Sequence, residues 1–575
     1  MKPIFIDFET FYDEKQKYSL KNMTVQSYIK DPRFKVLGMS VSAQGTKTIW
    51  IDGHDNCQAF FNRLPKDVIF VAHNATFDAA VAYRVFGFKA NKYICTMFMA
   101  RYLISQNVLP PKTHTALKDI APFVDEEKLH LDEALANGTL DTYAIKDTDI
   151  CKAFYEKYID QISQDEQQYI DMHVKASAIP QFALDTEQLT EVAAVDEDRK
   201  KWYGHVRKDD ILVKILQSRG VAVEYKEMKL GKKPCFSKTD DFMDYLVNHK
   251  DPIVRYMAQL RLEAKSTCAV SKAQRFLDCG SPMACPLIYY GAHTGRSSGT
   301  DNMNVQNMPR GSKVRTSLMA QKGKKLIIID SSQIEVRTLG FLAGDESILS
   351  VFRRGGDIYR EFAGNQMYNK APEDVTKDER QIAKAAVLAL GFGQGVQGFI
   401  RYAQRMGIMI DEAQSQHAVS VYRRSFPKIT GGFKFGGYWA QVENFVLNHG
   451  YSELPTGRRI YYPNLRYEGD KLVFDRADIF NKAGASSFLW HGLMVENLVQ
   501  ACARDIIFSQ VATVLNRYPQ ADLCLMVHDE SIFSVPEEDA EEIYKFTDET
   551  FKTPPAWAAN MPVNGEGHIS DRYDK

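Results

Sequence analysis

Four aliphatic residues, Leu326-Ile327-Ile328-Ile329, run directly into Asp330. This is the pattern of a strand buried on both faces that ends on a carboxylate. Far downstream, Leu523-Cys524-Leu525-Met526-Val527 leads to His528-Asp529-Glu530, and Ser531-Ile532-Phe533-Ser534-Val535 returns. Apolar strand, short polar tip, apolar strand predicts a hairpin with acids at its turn. At the N-terminus, Ile4 to Thr10 reads as a strand whose period of two puts Asp7 and Glu9 on one face. Further strands are predicted over Lys35 to Ser42, Lys47 to Asp52 and Val68 to Ala72, the last entering His73-Asn74-Ala75-Thr76-Phe77-Asp78 and an Ala-rich helix. A helix from Asp141 to Tyr158 carries Tyr143 and Asp147 four residues apart, hence on one face. From Asp160 to Cys285 the pattern is helical and charged, with Lys265-Ser266-Thr267, Lys272 and Arg275 offering a grip for a phosphate backbone. Arg380, Lys384, Leu388 and Phe392 follow at successive steps of four. They predict a helix face with two cations at one end and two apolar groups at the other.

Composition narrows the class more than it defines it. A chain of 575 residues is too long for one core. Its 45% hydrophobic and 25% charged residues are ordinary for a globular protein. A net charge of −1 excludes a global basic field, so any nucleic-acid surface must be a local groove. The 9 Cys form no zinc spacing and suit reduced thiols in a cytoplasm. No apolar run approaches about 18 residues, so no membrane partner is expected.

An Asp after an apolar strand, taken alone, is most often a turn residue. Two such carboxylates side by side, Asp330 and Asp529, could instead hold two metal ions about 3.5–4 Å apart for in-line displacement at phosphorus. Asp7, Glu9, Asp78 and Asp147, from three separate elements, are the donor set of a second metal-dependent phosphoryl site. Arg296, Gln306 and Asn307 crowd a Gly-rich segment ahead of Asp330. Their donors suit the minor-groove acceptors that nearly all base pairs share.

In order along the chain, the DxE, NxxFD-type and YxxxD elements closely resemble the exonuclease motifs of 3′–5′ proofreading domains. TGR…QN, DxSQIExR, the Arg380-to-Phe392 helix and VHDE resemble the motifs of family A (Pol I-like) DNA polymerases. The resemblance implies a multidomain α/β chain in which an RNase H-like exonuclease domain precedes a right-hand polymerase domain. Its expected divisions are exonuclease 1–165, thumb and connecting helices 166–285, palm 286–357, fingers 358–455 and palm 456–575. It also implies two Mg²⁺ at each site, replaceable by Mn²⁺, held by Asp330 and Asp529 and by Asp7, Glu9, Asp78 and Asp147. Tyr143 would position the attacking water, and Glu530 would be an auxiliary acid. Arg380 and Lys384 would bind the triphosphate, with Lys384 protonating pyrophosphate. Glu335 would be the steric gate against a ribose 2′-OH, and Gln333, Leu388, Phe392 and Tyr359 would complete the nucleotide face. Arg296, Gln306, Asn307, Arg458, Gln500 and His528 would touch DNA.

The sequence departs from the family pattern at four places. Leu388 stands where Phe or Tyr is usual, Phe392 where Tyr is usual, Tyr359 where many members have His, and Ser331 where Tyr is usual. None is a metal ligand, so catalysis should survive while sugar selection and fidelity change. The departures are similar to those of a subgroup of phage polymerases. A monomer is therefore expected in the cytoplasm of an infected bacterium, acting on primer–template DNA and dNTPs. Replisome proteins such as a helicase or single-strand binding protein are candidate partners, and a modified base such as 2-aminoadenine is a candidate substrate. A dedicated exonuclease and a non-enzymatic replication accessory are the rival readings, and two complete carboxylate sets weigh against both.

Overall fold

In a computed structural model, the protein is described for residues 1–575 except 195–196, 229–230, 238–239, 267, 302, 432–435 and 478–485. Thr267, with the side chains of Lys265 and Ser266, thus lies outside the described residues. The chain divides into two compact units. One comprises Met1–Ala183, Pro282–Asn307 and Ala320–Asp571, and the other Leu184–Ser281, Met308–Met319 and Arg572–Lys575.

The first unit begins with a mixed five-stranded sheet built from β1 (Lys2–Thr10), β2 (Val36–Ala43), β3 (Ile49–Asp52), β4 (Val68–Ala72) and β5 (Lys92–Cys95), in the order β3-β2-β1-β4-β5. β1 pairs antiparallel with β2 and parallel with β4. Phe5, Phe70 and Val71 are fully buried, so the central strands are covered on both faces, as parallel pairing requires. α1 (Ala75–Phe86) and α2 (Leu140–Tyr158) pack on this sheet. β5 has no counterpart among the predicted strands; its four residues are too few to show a period.

The same unit holds a four-stranded antiparallel sheet of β6 (Lys324–Ser331), β7 (Asp522–Val527), β8 (Glu530–Pro536) and β9 (Gly565–Ser570), in the order β7-β8-β6-β9. Leu326 to Ile329 are wholly buried, as their unbroken aliphatic run predicts. α3 (Lys377–Leu390) opens with a capping box in which Thr376 and Glu379 bond each other's backbone N–H. α4 (His491–Arg517) is long and apolar enough to cross a membrane, yet 78% of its apolar window is buried within the protein. Glu496, Arg504 and Asp505 interrupt its apolar sequence, so no unbroken run of such length is visible there.

A buried ion network ties the helix Gln164–Ala178 to α4. The Arg504 guanidinium, 1% exposed, donates to both oxygens of Glu166 at 2.7 and 2.8 Å and to Asp505 at 3.0 Å. Glu166 lies on the helix Gln164–Ala178, which belongs with the first unit.

The second unit has its own core of Val206, Leu212, Leu216, Phe236, Phe242, Leu246 and Leu260. Arg261 bonds Asp209 and the carbonyl of Val206 within it. Lys272, read as a backbone grip, is 6% exposed and so is part of the packing; Arg275 is exposed.

Candidate active sites

In the N-terminal sheet, the alternation of β1 turns Asp7 and Glu9 to one face, both partly exposed. Asp78, in the first turn of α1, accepts the Phe8 N–H at 3.1 Å and so pins that helix across β1. Ser40 of β2 donates its hydroxyl to the Ala144 carbonyl at 2.8 Å, which fixes α2 and with it Tyr143 and Asp147. The four acids are close enough to perturb one another. Burial, then the charges of Glu9 and Asp147, hold the Asp7 carboxyl well above the usual range. Burial and Asp147 push Glu9 up to about 8. Burial and Asp7 raise Asp78, and burial raises Asp147 against the opposing charge of Lys128. One oxygen of Asp147, Oδ1, is buried without a hydrogen-bond partner. Such a crowd of desolvated carboxyls with an unmet acceptor fits a divalent cation.

The second cluster forms where β6 ends beside the tip of the β7–β8 hairpin. Two residues, His528 and Asp529, make that tip, with His528 in the left-handed region at φ 55°. The Ser331 N–H bonds the Asp529 carbonyl at 2.8 Å, which locks the tip to the end of β6. Burial, then the nearby Asp330 charge, raises the Asp529 carboxyl to about 6. Ser331 Oγ and Gln333 Oε1 are buried beside the pair without partners. Two neighbouring carboxyls, with the unpartnered oxygens of Ser331 and Gln333 close by in sequence, fit metal ions that also take oxygens from a substrate. Among the described residues, at neither cluster does a group of three or more His, Cys, Asp or Glu form a ready-made metal cage. Glu530 is 4% exposed and in register with Asp330, so it walls the site instead of standing open in it.

Around this pair, Arg296 donates to Glu335 at 2.8 Å. Glu496 faces the same two charges and is raised by burial and by Glu335; Gln500 bonds it at 3.0 Å. Glu496 has no role in the sequence reading, because its partners lie on other elements. Gln306 donates to the Met526 carbonyl at 3.0 Å, while Asn307 and His528 are exposed. On α3, Arg380, Lys384 and Leu388 form a partly exposed stripe. Arg380 Nε donates to Asp357 at 2.6 Å.

Three expected roles change. The helix ends at Leu390, since Gly391 caps it and Gly393 takes φ 72°; Phe392 sits in the turn beyond, not on the helix face. Tyr359 is 3% exposed and lies 5.4 Å beneath the Arg380 guanidinium, a support for that cation and not a surface phosphate ligand. Arg458, expected to touch DNA, is enclosed. It is 7% exposed and spends its donors on Asp505, the Ala501 and Thr294 carbonyls and the Tyr290 hydroxyl.

The whole chain superposes on the polymerase domain of Pol1 from M. smegmatis, solved in complex with DNA primer-template and dNTP, with a TM-score of 0.68 at 16% identity. The alignment covers 100% of this chain and 96% of that one, which establishes the fold. The chain belongs to DNA polymerase family A, whose sequence profile matches residues 207–575. It is 30% identical over 293 residues to a DNA polymerase of Bacillus phage SP02, covering 46% of this chain and 43% of that one. It is also 30% identical over 269 residues to the thermostable DNA polymerase I of Thermus aquaticus, covering 45% of this chain and 29% of that one. The chain thus spans less than half the length of these curated relatives.

Proposed function

We propose that the chain adds dNTPs to a primer 3′-OH under the direction of a DNA template, and that its N-terminal cluster removes mispaired 3′ ends. The observation that carries the first part is Asp330 at the end of β6 beside Asp529 at the hairpin tip, in a family A polymerase fold. Asp330 and Asp529 would hold Mg²⁺, and bound metal supplies activation of the 3′-OH and charge neutralisation at the leaving pyrophosphate. Arg380 and Lys384 would bind the triphosphate, and Lys384 would donate the proton that pyrophosphate needs. Glu335, held by Arg296, would present a fixed carboxylate to the sugar and exclude a 2′-OH. The exonuclease reading rests on the convergence of Asp7, Glu9, Asp78 and Asp147 on one face of an RNase H-like sheet order. A frayed end reaches that site more cheaply when it is mispaired, because less pairing has to be broken. The likeness to the SP02 enzyme supports replication of a phage genome within a bacterial host.

Primer extension on matched and 3′-mismatched primer–templates with Mg²⁺, with and without dNTPs, tests both activities. Extension with dNTPs, and degradation without them that is faster on the mismatch, is expected. Degradation alone under every condition would overturn the polymerase reading.

A further inference from the structure

A cation is already built into the N-terminal acid cluster. Lys128 comes from the segment between Asp125 and His130, which has no regular structure, and its ammonium is ion-paired with Asp147 Oδ2. The same nitrogen donates to the Tyr143 hydroxyl at 2.7 Å and lies 4.3 Å from the centre of that ring. Tyr143 and Asp147 are adjacent on one face of α2, so lysine, phenol and carboxylate close a triangle. Asp147 then has one oxygen on the lysine and the other buried with no partner. The lysine side chain is only 22% exposed, so this is a packed arrangement, not a surface ion pair.

We infer that Lys128 is a resting lock on the exonuclease site: a tethered cation that holds Asp147 and Tyr143 until a divalent ion displaces it from the carboxylate. The inference rests on the exonuclease reading above. Any ion that takes both oxygens of Asp147 must first break the lysine pair, so Lys128 competes with metal for this acid. Once displaced, the ammonium still lies within reach of the Tyr143 hydroxyl. There it would fix the phenol that positions the attacking water, which makes Lys128 a positioning residue. Replacing it should therefore tighten metal binding while impairing the orientation of Tyr143.

The test is Mn²⁺ binding, followed by electron paramagnetic resonance, in a D529N background in which only the N-terminal cluster is intact. K128M is expected to bind Mn²⁺ about three- to tenfold more tightly than the Lys128 protein, from loss of one partly buried competing pair. K128R should restore the weaker affinity. K128Q provides a second neutral variant should K128M fold poorly, and should match it. In the metal-free state both neutral variants should melt at a lower temperature than the Lys128 protein. At saturating Mn²⁺ their single-turnover hydrolysis of a single-stranded 3′ end should be slower. Unchanged or weaker Mn²⁺ binding in K128M and K128Q, alongside normal hydrolysis by the Lys128 protein, would overturn the lock and leave the exonuclease reading intact. No Mn²⁺ binding and no hydrolysis by the Lys128 protein itself would overturn both.

Discussion

The two acid clusters use one kind of ligand in two kinds of housing. The N-terminal four come from one strand and two helices, lie among buried groups, and carry a lysine of their own. Beside the pair at the end of β6, Arg296 acts on the Asp529 carboxyl and is itself engaged with Glu335. Arg380, meanwhile, waits on Asp357. The first cluster thus carries a cation bonded directly to one of its acids, whereas the arginine beside the second is committed to a neighbouring carboxylate.

The largest expected effect separates the two sites. D330A should lower dNTP incorporation by at least about 10³-fold while primer degradation persists, and D7A should do the reverse. Parallel loss in either variant would show that the sites are not independent. Next, E166Q should damage both activities together. Breaking a buried pair by neutralising one partner costs about 3–5 kcal/mol, measurable as a drop in urea midpoint. A third test concerns the cation on α3. R380A should raise the dNTP KM by roughly 10-fold or more and leave hydrolysis of a 3′ end unaltered, read by steady-state kinetics.

The smallest effect concerns pH in chelator. Glu9, raised to about 8, and Asp529, raised to about 6, hold their protons more tightly folded than unfolded. Each therefore stabilises the metal-free fold at low pH, and that contribution is lost as pH rises through the folded value. Thermal melts should show E9Q more stable than the parent above pH 8, by about 1–3 kcal/mol, with the gap closing near pH 4.5. D529N should show a smaller gain that opens above about pH 4 and is complete near pH 6. A parent whose stability is flat between pH 4.5 and 8 would contradict this account.

The carboxylates were legible because strand periodicity exposes them. Asp7 with Glu9, and Asp330 after four aliphatic residues, announce their placement through alternation and run length alone. The pairing of Asp330 with Asp529 needed the order of motifs as well, since nothing local joins residues so far apart. The enclosure of Arg458 was not legible for a physical reason: the acid that draws it inward, Asp505, is on another element. Lys128 gave no sign at all, because an irregular segment has no period from which a direction could be inferred. Phe392 failed by two residues, where Gly391 ended the helix that the spacing had extended.

The Glu166–Arg504 pair also bears on modularity. On the proposed reading, separating the N-terminal acid cluster from the rest of the chain would naturally mean cutting where its motifs stop. A cut beyond Glu166 leaves the guanidinium of Arg504 enclosed among Tyr169, Tyr289 and Phe508 with its bidentate partner gone. The useful seam lies earlier, before the Ser163 cap of that helix, so that the strut travels with the half it supports.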